Sequence, residues 1–540
     1  MTMKLKVRAT VIVFSVLALS VFYIAVSKFP LLYDGTYRLA DIQLPGRRIV
    51  DGFDSPHIFT FRKRLNKSNY SSDNNISLEG EKVRHEEERN ETDLNAAEEK
   101  NDSGNIFGVK YESRNKFRRK NTENSVTNYT DPLVDKLIHF LQKSNGIKFN
   151  FDKILETSYN TFLRLLRKRN RRRGPSLPIF RTYNGGSHMS NWERFQKGIH
   201  QYGLYLPEEP AIEDLMKDMT REPIVDIEQK EGGTQLKLII TYSDEGQALF
   251  KPMRYSREQE TLPDHFYFVD FERHNAEIAA FHLDKILGFY RVPPTIGREV
   301  NLTSEIKRLA DTKLKKTFFV SPAGNVCFHG SCSYYCDTSH AVCGHPVMIE
   351  GSFATFLPPD RIAPRKTWRN PWKRSYSKHR KAYWEVYDDL CSQVIEKPPY
   401  NTGRRLLDVI DTHIFDFLTG NMDRHHYETF SDFGNNTFLL HLDNGRGFGK
   451  AHHDEMSILA PVYQCCLVRY STFLKMTKLY LGPDKMSDLM RESMSTDSIN
   501  PVLTDSHLIA LDRRIAKIIR VIHDCIEQSP YTDVIVDDFF

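Results

Sequence analysis

The sequence predicts an α+β chain in which a small strand-rich lobe is followed by a helical lobe, the whole stabilised by disulfides. Three observations carry this. Strand-like alternation begins near Gly232, with Leu236, Leu238 and Ile240 in step, and an apolar strand recurs at 354–357. From Leu406 onward apolar residues recur mainly at helical spacing. All eight cysteines lie between Cys327 and Cys525, an even number of the kind an oxidising compartment pairs. At 540 residues the chain exceeds one ordinary domain, and a formal net charge of +5 gives no argument for nucleic-acid binding.

Taken in order, Lys4, Lys6 and Arg8 precede an apolar run from Ala9 to Val26. A basic flank before such a run predicts a cytosolic tail over 1–8 and a signal-anchor transmembrane helix over 9–27, with the rest of the chain luminal. A cleavable signal peptide ending at Ala25-Val26-Ser27 is the alternative. Residues 28–130 read as a disordered luminal stem, poor in apolar residues after Leu44 and dense in acids from Glu79 to Asp102. Eight Asn-x-Ser/Thr sequons occur, at Asn66, Asn69, Asn75, Asn90, Asn101, Asn128, Asn301 and Asn435, six of them before residue 131. Arg62-Lys63-Arg64 in the stem has the form of a processing site, although solvated charge is the simpler reading. Asp131-Pro132 then opens a helical extension over 131–190.

The strand-rich lobe is placed at 191–357. Asp244-Glu245-Gly246 turns one strand into a second, Ala248 to Pro252, which carries Lys251. Glu272-Arg273-His274-Asn275 leads into a helix whose buried face is Ala279, Leu283, Ile286 and Leu287, ending at Gly288. Cys327, Cys332, Cys336 and Cys343 form a tight insertion; disulfides suit the compartment, and a zinc site is the alternative by spacing. The helical lobe occupies 358–540. It begins with a basic segment, 361–381, holding nine Lys/Arg and no acid, interleaved with Trp368, Trp372 and Tyr376. This is a candidate grip for acidic substrates, or a solvated insertion whose tryptophans pack on the lobe.

Two polar runs sit within apolar ones at 421–449. The first carries Asp423, Arg424, His425, His426 and Glu428 after a buried helix through Ile414, Phe415, Phe417 and Leu418; the second carries Asp443 and Asn444 after an expected short strand, Phe438 to Leu442. Phosphoryl transfer needs few groups, and these supply them. Lys251 suits nucleotide phosphates, Glu272 suits fixing that lysine or holding metal, Asp423 suits the incoming hydroxyl, and Asp443 with Glu428 suits a divalent ion. The order of parts is that of an atypical two-lobed protein-kinase-like fold. The Gly-x-Gly-x-x-Gly, His-Arg-Asp and Asp-Phe-Gly signatures are absent; Gly232-Gly233-Thr234-Gln235 is the nearest glycine loop. His-His-x-Glu at 425–428 also admits a zinc reading, but adjacent histidines point apart. Asp411 and Asp416 read as surface or cap acids, His452-His453-Asp454 as a solvated loop, and Arg424 as a partner for an internal carboxylate.

Residues 420–430, 441–450, 272–284 and Cys-Ser-Tyr-Tyr-Cys at 332–336 closely resemble the secretory-pathway kinases called "family with sequence similarity twenty". Glu272 stands where its pseudokinase branch has glutamine, so the casein-kinase branch is the nearer likeness; a xylose kinase of proteoglycan linkers and a non-catalytic activator of a related kinase are the alternatives. The resemblance implies a Mn2+-dependent, or Mg2+-using, Ser/Thr protein kinase that phosphorylates Ser-x-Glu or Ser-x-phosphoserine in secreted proteins. It implies ATP contacts at Gln235, Lys251, Glu272, Ala354, Thr355, Phe356, Leu357, Glu428 and Asp443, metal at Glu272 and Asp443, and catalysis at Asp423. It further implies disulfides Cys327–Cys343, Cys332–Cys336, Cys391–Cys465 and Cys466–Cys525, and glycans at Asn301 and Asn435. The implied setting is the Golgi membrane, single-pass type II, with release by proteolysis, and the implied partners are a homodimer or a pseudokinase paralogue.

Overall fold

The computed structural model describes Leu177 and residues 189–536, apart from 208 and 263. The expected anchor, the stem with its sequons and the amphipathic runs of 131–166 lie outside the described residues. The described chain begins with α1 (Asn191–Gly198), started by a capping box between Ser190 and Glu193, and α2 (Pro210–Arg221), with proline in its first turn.

The main sheet is five-stranded and antiparallel, ordered β1–β2–β3–β8–β4. Its strands are β1 (Ile224–Gln229), β2 (Leu238–Tyr242), β3 (Gln247–Pro252), β4 (Thr295–Asn301) and β8 (Met348–Thr355). Pairing aligns Leu238 with Phe250, Phe250 with Phe353, and Phe353 with Ile296, so one buried face runs across four strands. Each such apolar side chain contributes about 1.5–3 kcal/mol by leaving water. α3 (His274–Leu287) packs against this sheet and ends at Gly288, whose left-handed φ of 78° favours glycine. Helix α3 is buried on nearly every side, Lys285 and Ile286 excepted. Its charged residues must therefore find partners inside the protein.

Between β4 and β8 lies the cysteine-rich insertion, a three-stranded sheet of β5 (Phe318–Val320), β6 (Val326–Phe328) and β7 (Val342–Cys343). Cys327 and Cys343 are direct cross-strand partners and are disulfide-bonded; Cys332 bonds Cys336. The amides of Ser333 and Tyr335 donate to the carbonyls of Gly233 and Thr234, so the second disulfide loop pins the Gly232–Gln235 turn. With every cysteine in a disulfide, the zinc alternative is removed.

In the helical lobe, β9 (Arg365–Arg369) pairs antiparallel with β10 (His426–Phe430). α4 (Arg405–Thr419) is buried along its whole length and stops at Gly420, left-handed at φ 76°, which releases the polar run 421–425. α5 (Ala460–Cys465), α6 (Tyr470–Leu481), α7 (Met486–Met494) and α8 (Asp505–Ile526) complete it. Cys391–Cys465 and Cys466–Cys525 tie α5 to its neighbours. The α7–α8 connection reaches back to the sheet lobe: Gly297 N donates to Asp497, and Asn275 Nδ2 to Val502 O.

Three expectations are corrected. Asp411 and Asp416 are not surface acids; both are fully buried because α4 has no exposed face. Asp411 accepts from Arg291, Arg469 and Thr472, and Asp416 from Arg424, the internal partner expected for that arginine. Asp454 is likewise held by Arg513, Arg514 and Lys517, although His452 and His453 are exposed. Phe438–Leu442 forms no regular strand: Leu440 alone makes one bridge, to Glu428, on the edge of β10 opposite β9, and the ladder goes no further. In the basic segment 361–381 the tryptophans pack on the lobe, as one of its two readings expected: Trp372 is buried and Trp368 donates to Thr429, while Lys366, Arg369, Lys378, Arg380 and Lys381 stay exposed.

Candidate active site

Strand β3 carries Lys251 inward, where burial demands counter-charge. Its Nζ lies 2.8 Å from Glu272 Oε2 and 3.1 Å from Asp443 Oδ1, and it also bonds Glu277 in the first turn of α3. Lys237, just before β2, is a second cation, 2.8 Å from Asp443 and 3.5 Å from Glu272. Burial disfavours both ammoniums, yet the facing carboxylates outweigh it and hold Lys251 and Lys237 above the usual lysine range. The lysines in turn hold Asp443 well below the usual carboxylate range; Glu272 is also lowered, the two lysines outweighing its burial.

Three chain segments must meet for this. Gln235 is buried and orients Glu272 directly, its Oε1 accepting from Glu272 N at 3.0 Å while its Nε2 donates to Asp270 O. Arg273 N donates to Gly445 O, and Gly445 N to Glu277 at 2.8 Å, stitching the start of α3 to the 443–449 loop. This approach requires glycine at 445: a Cβ there would sit 2.8 Å from Glu272 Cβ. Asp443 itself has φ 53°, a conformation that aspartate tolerates better than most residues.

One carboxylate oxygen each from Glu272, Glu277 and Asp443 lies within 4.8 Å of the other two. Three carboxylates against two ammoniums (−3 + 2) leave one net negative charge. Hard oxygen donors at this spacing with residual negative charge fit a divalent cation such as Mn2+ or Mg2+. The cluster opens to solvent on one side, where the Asp443 side chain is 68% exposed against 7% for Lys251.

Asp423 stands on the loop leaving α4. Asn421 Oδ1 accepts from its backbone N, His425 Nδ1 lies 2.7 Å from Oδ1, and Arg446 Nε lies 3.1 Å from Oδ2. Arg424 links both loops, bonding Asp416 beneath and Asn444 and Leu442 O above. Thus the run with Asp423 and the run with Asp443 are held as one unit. Of the remaining expected residues, Ala354 and Thr355 end β8, Thr355 donating to Pro294 O, and Phe356 N donates to Gln247 O; Leu357 is buried. Glu428 does not join the carboxylate cluster; it pairs with Arg365 at 2.9 Å. Asn301 caps a short π-helical segment, accepting from Thr303 and Ser304, and Asn435 is exposed.

The residues missed from sequence are Glu277 and Lys237. Glu277 is an acid in the first turn of α3, flanked by Ala276, Ile278, Ala279 and Ala280, which is the signal that marks it. Lys237 occupies the polar step of a strand-like alternation, a position that ordinarily faces water.

A small antiparallel sheet, a helix that brings an acid to a strand lysine, and two acidic loops on a helical lobe place the chain in the class of two-lobed, protein-kinase-like proteins. The sequence profile of the family described as "Golgi casein kinase, C-terminal, Fam20" matches residues 190–534. The chain belongs to the Fam20 family. It is 57% identical over 363 residues to a Drosophila melanogaster "Extracellular serine/threonine protein CG31145", covering 67% of this chain and 69% of that protein. It is 58% identical over 349 residues to the Homo sapiens "Extracellular serine/threonine protein kinase FAM20C", covering 64% of this chain and 60% of the relative. Among solved structures, one described as "crystal structure of the Golgi casein kinase with Mn/ADP bound" aligns with a TM-score of 0.65 at 41% identity, covering 72% of this chain and 94% of that one.

Proposed function

We propose that this chain is a Ser/Thr protein kinase of the secretory pathway, transferring the ATP γ-phosphate to Ser in Ser-x-Glu or Ser-x-phosphoserine of secreted proteins. The observation that carries this is the convergence of Lys251 with Glu272, Glu277 and Asp443. In this reading Lys251 and Gln235 serve the nucleotide, Lys251 as the cation for its phosphates and Gln235 by fixing Glu272. Ala354 to Leu357 receive the adenine at the end of β8, and Glu428 contacts nucleotide from β10. Glu272 and Asp443, with Glu277 beside them, hold Mn2+, which offsets phosphate charge when bound. Asp423 accepts the proton of the acceptor hydroxyl, and Arg446 and His425 hold its two oxygens. The exposed cations of 361–381 face acidic substrate.

The proposed setting is the Golgi membrane, reached through the N-terminal anchor, with release by cleavage of the stem. Glycans at Asn301 and Asn435 and pairing with a second copy or a pseudokinase paralogue belong to the same reading. The test offers labelled ATP and Mn2+ with a Ser-x-Glu peptide and a xylose-containing linker tetrasaccharide in one reaction. Label on the peptide is expected. Label on the sugar makes the chain a glycan kinase, and stimulation of a co-expressed paralogue with no labelled acceptor makes it an activator.

A further inference from the structure

We infer that His425 is a positioning residue for phosphoryl transfer: it fixes the Asp423 carboxylate and ties it, through Tyr376, to the basic segment that meets substrate. The inference rests on Asp423 being the group that faces the acceptor hydroxyl. Asp423 lies outside regular structure, and its carboxylate has one side-chain partner on each oxygen, His425 on Oδ1 and Arg446 on Oδ2. An ionised carboxylate can only accept, so His425 carries a proton on Nδ1 in either of its charge states. Its ring is fixed on three further sides. It stacks on Tyr376 with centroids 3.9 Å apart and planes 9° apart, and Tyr267 lies 5.8 Å away at 21°. Nε2 faces Arg374 O and Tyr267 Oη, each at 3.0 Å. Arg374 and Tyr376 belong to the basic segment, and Tyr376 remains 49% exposed although it covers a buried histidine. A histidine serving only as packing has no need of this arrangement, in which one nitrogen grips the carboxylate and the other grips the segment. His426, the adjacent histidine, is exposed and shares none of these partners.

The test compares His425→Ala, His425→Asn and His425→Gln in the secreted protein, with Asp423→Asn as control. An Asn amide places its nitrogen near Nδ1, whereas a Gln amide places its own near Nε2. His425→Ala is expected to lower kcat on a Ser-x-Glu peptide by about 100-fold, the scale of a loosened catalytic geometry, with KM for ATP held within about threefold. His425→Asn is expected to recover at least about tenfold of that loss and His425→Gln to recover none. Tyr376→Ala, at an exposed position that does not threaten folding, is expected to lower kcat in the wild type and to have little further effect in the His425→Ala background. Equal rescue by Asn and Gln, additive Tyr376 and His425 effects, or near-normal kcat for His425→Ala beside an inactive Asp423→Asn each overturn the inference. An active Asp423→Asn overturns instead the reading of Asp423 on which it stands.

Discussion

Replacing Glu277 exposes what holds the site together. Its carboxylate, 8% exposed, bonds Lys251 and accepts from Gly445 N at 2.8 Å. Alanine leaves that amide without its partner, costing about 1–3 kcal/mol, and removes one charge-assisted bond to Lys251, worth about 1.5–3 kcal/mol. Breaking a buried ion pair outright costs about 3–5 kcal/mol, but Lys251 keeps Glu272 and Asp443, so the lower end applies. A total near 3 kcal/mol corresponds to a loss of about 100-fold in kcat/KM if it falls on the transition state. Glutamine keeps an acceptor for Gly445 and loses the charge, so about tenfold is expected for it. The assay is steady-state transfer to a Ser-x-Glu peptide with Mn2+ and ATP, alongside thermal unfolding. The reasoning fails if Glu277→Ala transfers phosphate within about threefold of wild type at an unchanged melting temperature.

Other consequences follow from the same structure. Gly445→Ala drives a Cβ into Glu272 and is expected to cut transfer at least as far as Glu277→Ala, because the close atom is a Cβ near the backbone that cannot swing aside; steady-state kinetics on the secreted variant check it. Acidification from pH 7 to pH 5 should destabilise the fold. Burial lowers His282 to about 3 and His413 to about 4, so the unfolded chain takes up protons that the folded one refuses, at about 2 kcal/mol per histidine over this window. Asp284, which burial raises to about 7, acts oppositely: folded protein binds its proton first, returning about 2 kcal/mol. Asp284→Asn should therefore lose more stability than wild type between pH 7 and pH 5 in denaturant titrations; an equal or smaller loss contradicts this. Cys466 and Cys525, 59 residues apart, close a loop worth about 4 kcal/mol by chain entropy, so replacing both with serine should lower the unfolding midpoint in denaturant.

Much of the site was legible because local signals coincided with global ones. The alternation through Leu236, Leu238 and Ile240 and the turn at Asp244-Gly246 mark the strand that carries Lys251, and Gly288 marks the end of α3. What stayed hidden came from helices buried all round. The sequence marks α3 by one apolar face and gives Glu277 no role, whereas the 443–449 loop covers its side and Ile286, assigned to the buried face, is only half-buried. The same assumption sent Asp411 and Asp416 to the surface. Helical periodicity identifies a second buried face only when that face is apolar; here it is acidic and neutralised by arginines from distant segments. Phe438–Leu442 shows the converse. Phe438, Leu439 and Leu440 are buried as an apolar run should be, but only Leu440 bridges to β10, so burial came without a strand ladder.

The central claim is that Lys251, Glu272, Glu277 and Asp443 form one metal–nucleotide site serving Asp423. The most direct measurement is transfer of labelled γ-phosphate from ATP to a Ser-x-Glu peptide as Mn2+ is titrated, for wild type and Asp443→Ala. The account predicts Mn2+-dependent labelling by wild type and none by Asp443→Ala. No labelling by a folded wild type, or undiminished labelling by Asp443→Ala, would contradict it.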